Sequence, residues 1–233
     1  SGKTTLAAAF IKYVSTLEKY VIAFDADHNM HLQEALGIPG TPQHLSNSIV
    51  SIQEYLKGNR TDLTNSTMID STPPSLNSQF LYPKKNDWLV SKFGLHKENI
   101  SLLTVGSYEA SDAGKTCYHG KLGILASIMH HLLDGSEDVV VSDATAGIDN
   151  LGTSLYFAYD LTIFVVEPTM RSIDVYLHFE KLTNEMNLNT AVIINKANES
   201  DIQFVNKYIP QEKILGVVPN TPLLRKFDQG DSL

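Results

Sequence analysis

The first residues of the chain carry groups that could bind phosphate. Gly2-Lys3-Thr4-Thr5 matches the second half of the pattern G-x-x-x-x-G-K-[ST]. In that pattern backbone N–H groups surround phosphate, the lysine reaches the terminal phosphates and the hydroxyl binds Mg²⁺. The same residues, with Ser1, also fit an ordinary helix start whose polar side chains cap free amides. So short a match leaves both interpretations open.

A carboxylate follows the apolar segment at residues 139–142. Mg²⁺ on a triphosphate needs oxygen ligands, and Asp143 stands where a carboxylate could supply one or orient a bound water. Gly147 then offers a backbone that can approach a γ-phosphate closely. The alternative is a helix N-cap formed by Asp143 or Thr145. Together with the opening motif, the metal role is favoured.

Two further carboxylates, Asp25 and Asp27, follow the apolar run at residues 20–24. Hydrolysis of a phosphoanhydride needs a group that orients the attacking water in line, which a carboxylate at a strand end could do. The run Asp27-His28-Asn29 is equally suited to cap a turn. Composition alone does not choose between these roles.

Short apolar runs alternate with helical patterns along the chain. This alternation predicts an α/β fold, a doubly wound, mostly parallel sheet flanked by helices. Such folds bind ligands beyond the carboxyl ends of their strands. The stretch 41–100, with scattered Pro, Asn and Ser, is interpreted as a largely irregular insertion in a single domain spanning 1–233. The predicted strands are 20–24, 101–105, 139–141, 161–166, 191–194 and 214–218, and the predicted helices are 4–17, 122–133 and 173–182.

The composition narrows the class of protein. The chain has 233 residues, of which 42% are hydrophobic, a net charge of −8 and one cysteine. This acidity disfavours a general nucleic-acid or anionic-membrane surface, and one cysteine forms no internal disulfide. Neither a signal peptide nor a membrane-spanning apolar run is present in the sequence. We therefore expect a soluble cytoplasmic protein.

Six motifs, in order and spacing, resemble those of the deviant Walker A P-loop ATPases, the class that includes MinD, ParA and the nitrogenase iron protein. Among these the sequence is most similar to the CooC-type ATPases, which help to insert nickel into carbon monoxide dehydrogenase. The likeness covers nearly the whole chain. The motifs are SGKTT at the start, FDADHNMHLQEALGI, DATAGIDNLGT, VVEPTMRSIDV, IINKAN and ILGVVPN.

The resemblance implies a role for each matching residue. Lys3 would bind phosphate and Asp27 would position the water, so these two are the catalytic candidates. Thr4 would ligate Mg²⁺, supported by Asp25 and Asp143. The remaining nucleotide contacts would be Ser1, Gly2 and Thr5 of the loop, Gly147 at the γ-phosphate, Asn195 at the adenine and Pro219 beside the base, although Asn195-Lys196 also fits a solvated loop.

Relatives begin with a β-strand and a K-G-G-x-G-K-T loop, whose first lysine reaches across a nucleotide-sandwich dimer. Neither the strand nor that lysine stands in this sequence. We therefore expect a chain trimmed at its start, and also at its end, where relatives carry a closing helix. By the same resemblance we expect a homodimer.

The resemblance also gives a role to the single cysteine. Cys117 and His119 stand where CooC-type proteins carry Cys-x-Cys. Two ligands from each subunit would complete a four-coordinate site for Zn²⁺ or Ni²⁺ at the dimer interface. Histidine in the second position changes charge and softness, and a buried cysteine beside a surface histidine is the competing interpretation.

Three functions follow from these expectations. The first is an ATP-driven maturation factor for a client such as carbon monoxide dehydrogenase, which binds ATP and Mg²⁺ between two subunits and hydrolyses ATP slowly. The second is a MinD- or ParA-type positioning or partition switch. The overall charge disfavours DNA binding, and in place of the basic amphipathic helix that ends MinD-like proteins, residues 223–233 carry only Arg225 and Lys226 beside two aspartates. The third, a cobyrinic acid diamide synthase-like ligase, needs a glutaminase domain for which the chain has no room.

Overall fold

A computed structural model describes residues 2–63, 68–107, 118–145 and 149–221. These residues form two compact units, one made of 2–5 with 159–221 and the other within 6–158. The helices are α1 (Lys3–Ser15), α2 (Leu32–Leu36), α3 (Ile49–Lys57), α4 (Trp88–Phe93), α5 (Tyr118–His130), α6 (Met170–Glu185) and α7 (Glu199–Val205). The strands are β1 (Tyr20–Ala26), β2 (Leu95–Lys97), β3 (Ile100–Thr104), β4 (Asp138–Ala144), β5 (Thr162–Val166), β6 (Thr190–Asn195) and β7 (Ile214–Val218).

The unit within 6–158 contains a four-stranded sheet in the order β2-β3-β1-β4. β1 is parallel to both β3 and β4, and the short β2 pairs antiparallel with β3. All of β3, and β1 beyond its first residue, are buried. Burial on both faces explains why these strands are continuous apolar runs in the sequence.

The other unit contains the parallel sheet β5-β6-β7. α6 and α7 pack against this sheet through a buried apolar cluster. α7 begins at a capping box, because the Asn198 side chain accepts from the Asp201 N–H at 3.0 Å and the Asp201 carboxylate accepts from the Asn198 N–H at 2.9 Å. The cluster consists of Val166, Ile173, Tyr176, Val192, Ile194, Ala197, Val205 and Ile209.

The two sheets confirm the predicted α/β class, with mostly parallel strands and flanking helices. Each of the six predicted strands and three predicted helices overlaps an observed element. That residues 1–233 form one domain stays a prediction.

Segment 41–100, predicted as a largely irregular insertion, holds α3, α4, β2 and a 3-10 helix at Leu45–Ser48. Its helices are joined by stacked rings: Tyr55 and Trp88 lie 4.0 Å apart between centroids, with an interplanar angle of 8°. The ammonium of Lys92 lies 4.9 Å from the Trp88 ring centroid. Asp87 caps α4 by accepting from the Leu89 N–H at 2.9 Å. These interactions give the segment its own local packing.

Among the helices that the structure describes, none combines the length and the apolar character that crossing a membrane requires.

Candidate functional site

Two buried carboxylates lie side by side at the ends of neighbouring strands. Asp25 of β1 and Asp143 of β4 are partners in the parallel register. They are 0% and 3% exposed, respectively. Parallel pairing puts the carboxyl ends of both strands at the same edge, which is why two aspartates 118 positions apart in the chain meet there.

The Asp25 carboxylate is only partly satisfied. Its Oδ2 accepts from the Leu32 N–H, at the start of α2, at 3.0 Å. Within the part of the chain that the structure describes, its Oδ1 has no hydrogen-bond partner. Burial, reinforced by the charges of Asp143 and Asp27, raises the pKa of Asp25 to about 7. The folded chain therefore favours a positive group beside Asp25, either a proton or a cation.

This donor set fits Mg²⁺. That ion is usually held by one or two carboxylates, with substrate phosphates and waters completing its shell. No group of three or more His, Cys, Asp or Glu side chains within the described ranges is placed to hold a metal ion. A fully protein-made cage is thus absent from those ranges, whereas two carboxylates with an unsatisfied oxygen suit a nucleotide-bound ion.

Asp27 caps a turn. Its Oδ1 accepts from the backbone N–H and the side-chain Nδ2 of Asn29, both at 2.9 Å. The His28 Nδ1 lies 3.5 Å from the same oxygen, and the Met30 N–H donates to the Asp27 carbonyl at 3.1 Å. The turn interpretation therefore describes the geometry. With its side chain 14% exposed, Asp27 remains partly accessible, and its water-positioning role stays a prediction.

Gly2 meets Asn195 at the start of α1. Gly2 has a φ of +77°, and a Cβ at this position would lie 2.5 Å from the Asn195 Nδ2. A side chain is thus excluded both by the backbone conformation and by the close approach of the amide. α1 begins at the next residue, Lys3, and the side chains from Lys3 to Thr5 are half-buried.

Asn195 is buried at the end of β6. It is 4% exposed, and its Oδ1 accepts from the Lys196 N–H at 3.0 Å. The Lys196 ammonium pairs with Glu167 after β5 at 3.1 Å, and this contact lowers the pKa of Glu167. Register pairs Asn195 with Val218, so that Pro219 follows on the neighbouring strand. Burial of Asn195 argues against a solvated loop at this residue, and the adenine contact stays a prediction.

Several predicted site residues have no described placement. Ser1, Cys117 and Gly147 lie outside the described residues, and His119 belongs to α5 with its side chain outside that description. Their predicted roles remain predictions.

Tyr118, between the two predicted metal ligands in the sequence, makes a contact that the sequence motifs do not indicate. Its hydroxyl donates to the carbonyl of Ala26 at 3.0 Å, and its ring meets the His28 ring edge-on, with centroids 5.9 Å apart. Tyr118 is 8% exposed. The contact joins residues 92 positions apart, so no local pattern in the sequence could have indicated it.

His130, the last residue of α5, and the adjacent His131 have separate hydrogen-bond partners. His131 is fully buried, and its Nδ1 donates to the Ser127 carbonyl at 2.8 Å. The His130 Nε2 lies 3.2 Å from the Ser154 hydroxyl. Burial lowers the pKa of His131. This histidine is therefore part of the core.

Parallel strands with a carboxylate pair at their ends, and a Gly-Lys-Thr-Thr helix start, define a nucleotide-binding class of protein. The chain belongs to the CobQ/CobB/MinD/ParA nucleotide-binding domain family, whose model matches residues 1–233.

Individual relatives are similar over nearly the whole chain. An uncharacterized ATP-binding protein of Methanocaldococcus jannaschii is 30% identical over 222 residues, which cover 94% of this chain and 80% of the relative. The carbon monoxide dehydrogenase accessory protein CooC of Rhodospirillum rubrum is 26% identical over 231 residues, with coverage of 98% and 83%. These matches confirm two predictions from the sequence, namely membership of a MinD- and ParA-related P-loop family and likeness to CooC.

Solved structures give the same fold. A ParA family ATPase from Chlorobium tepidum superposes with a TM-score of 0.61 at 18% identity, covering 98% of this chain and 84% of that one. A chain of the MinC:MinD cell division protein complex of Aquifex aeolicus gives a TM-score of 0.60 at 18% identity, covering 99% of this chain and 81% of that one.

Proposed function

We propose that this chain binds ATP with Mg²⁺ and hydrolyses it as a maturation factor, whose nucleotide-controlled dimerisation assists nickel insertion into a client metalloenzyme such as carbon monoxide dehydrogenase. The buried pair of Asp25 and Asp143, in which the Asp25 Oδ1 has no hydrogen-bond partner among the described residues, is the observation that carries the nucleotide part. The similarity to CooC supports the maturation part.

Each of these residues has a separate role in ATP binding or hydrolysis. Lys3 neutralises the terminal phosphates, and Asp25 and Asp143, with the Thr4 hydroxyl, hold Mg²⁺. When bound, this ion neutralises charge on the β- and γ-phosphates. Asp27 orients the attacking water from its fixed turn, and such positioning supplies most of the catalysis in phosphoryl transfer.

Nucleotide acts in this proposal as a ligand that stabilises one dimeric state more than the other. Cys117 and His119 of two subunits then form a thiolate and imidazole site, a donor set that suits Zn²⁺ and Ni²⁺. Nickel is the cargo at this site. Hydrolysis of ATP removes the ligand that stabilised one dimeric state, so that the other state is populated again.

Lys3→Ala tests the nucleotide part. Loss of a charge-assisted contact to phosphate should weaken ATP binding about ten- to a hundredfold in calorimetry. Lys12→Ala, on the same helix, is the matched control and should bind ATP as the unchanged chain does. Equal ATP affinity in the two variants would remove Lys3 from the site, and no ATP binding by the unchanged chain would end the proposal.

Nickel titration with and without ATP tests the maturation part. Ni²⁺ affinity should depend on ATP in the unchanged chain and should fall in Cys117→Ala. Identical affinity in both proteins and under both conditions would refute the metal role. Sedimentation of the chain with DNA or liposomes in the presence of ATP would instead favour the positioning or partition switch.

A further inference from the structure

The peptide bond between Ala26 and Asp27 is held at its carbonyl end by a side chain from α5. Its carbonyl accepts from the Tyr118 hydroxyl at 3.0 Å. Ala26 itself is fully buried. The orientation of this peptide plane therefore depends on a hydrogen bond from one side chain of α5.

Asp27 is joined to that peptide plane through its own backbone nitrogen. Asp27 leaves the strand at this peptide, and its carboxylate then closes the turn through Asn29. The edge of the Tyr118 ring also faces His28, the next residue of the turn. Two separate contacts from Tyr118 thus reach the backbone and the side chain of the same turn.

We propose that Tyr118 is a positioning residue for ATP hydrolysis, which acts by fixing the Ala26–Asp27 peptide and so the direction of the Asp27 carboxylate. This inference rests on the proposed function, because it takes Asp27 as the group that orients water. Tyr118 touches neither water nor phosphate in this role. A small rotation of the peptide would turn the carboxylate away from the line of attack, on which hydrolysis depends steeply.

Tyr118→Phe removes the hydroxyl that donates to the Ala26 carbonyl and keeps the ring. We expect kcat to fall about three- to tenfold, while the Kd for ATP stays within about twofold of its original value. Amide exchange in residues 26–30, measured without nucleotide, should become faster. The matched control is Tyr176→Phe, which removes a hydroxyl that donates to Glu180 at 2.7 Å in α6. It should alter neither kcat nor exchange in that turn.

The outcomes separate this inference from the function beneath it. An unchanged kcat in Tyr118→Phe, with normal ATP hydrolysis by the original chain, overturns the role of Tyr118 and leaves the function standing. Unchanged amide exchange in the turn overturns it as well. Failure of the original chain to bind or hydrolyse ATP overturns both. A parallel loss of kcat and of thermal stability in Tyr118→Phe would indicate a general structural role and contradict the inference. His28→Ala, at an exposed side chain, measures the contribution of the ring contact independently.

Discussion

Asp25 is deeply buried, and no group in the described part of the chain donates a hydrogen bond to its Oδ1. Its pKa is raised from 3.8 to about 7, so the folded state holds a proton that the unfolded state has already released. The contribution of this group to stability is therefore lost as the pH rises from about 4 through 7. The difference between the pKa of Asp25 in the folded state and in the unfolded state corresponds to at most about 4 kcal/mol of unfolding free energy.

Asp25→Asn should therefore stabilise the nucleotide-free chain above pH 7. We expect a gain of about 1–4 kcal/mol in unfolding free energy at pH 8 and little change near pH 4, measured by urea denaturation. The variant should lose the further stabilisation that ATP and Mg²⁺ give the original chain. Asp174→Asn, at an exposed position of α6, is the control. If Asp25→Asn has the same pH dependence as the original chain, the carboxylate is not the group that titrates.

At the scale of single residues, the sequence predicted which residue types stand at the strand ends. It did not predict how these residues are arranged in space. Asp25 and Asp143 could be identified because each follows an apolar run. Their side-by-side placement depends on strand register, which no pattern within either segment encodes. The contact between Tyr118 and Ala26 is likewise tertiary.

The strands are the elements that the sequence predicts best. β1 and β3 are buried on both faces, and burial selects apolar residues throughout. The short helices α2, α3, α4 and α7 were not predicted, because helices of this length derive their stability from tertiary packing rather than from their own residues.

The capping box of α7 gives a prediction for one element. Asn198→Ala removes the acceptor for the Asp201 N–H and should destabilise the chain by about 1 kcal/mol in thermal or urea denaturation. Asn206→Ala, at the exposed other end of α7, is the matched control, since that cap is formed by backbone groups. Equal effects of the two substitutions would mean that the side-chain cap contributes nothing measurable.

At the scale of the whole molecule, the proposal predicts that ATP changes the oligomeric state of the chain. Size-exclusion chromatography with light scattering should give a larger dimeric fraction with ATP and Mg²⁺ than without nucleotide. Lys3→Ala should leave that fraction unchanged, because the nucleotide no longer binds. A dimeric fraction indifferent to ATP in the original chain would contradict nucleotide control of assembly.

The stacked pair of Tyr55 and Trp88 has a practical consequence for folding experiments. The chain contains one tryptophan, and it lies in the unit within 6–158. Indole emission therefore monitors the loss of this unit alone, whereas far-ultraviolet circular dichroism monitors the helices of both. Superimposable denaturation curves from the two signals would identify a single cooperative transition, and displaced curves would show that the two halves melt separately.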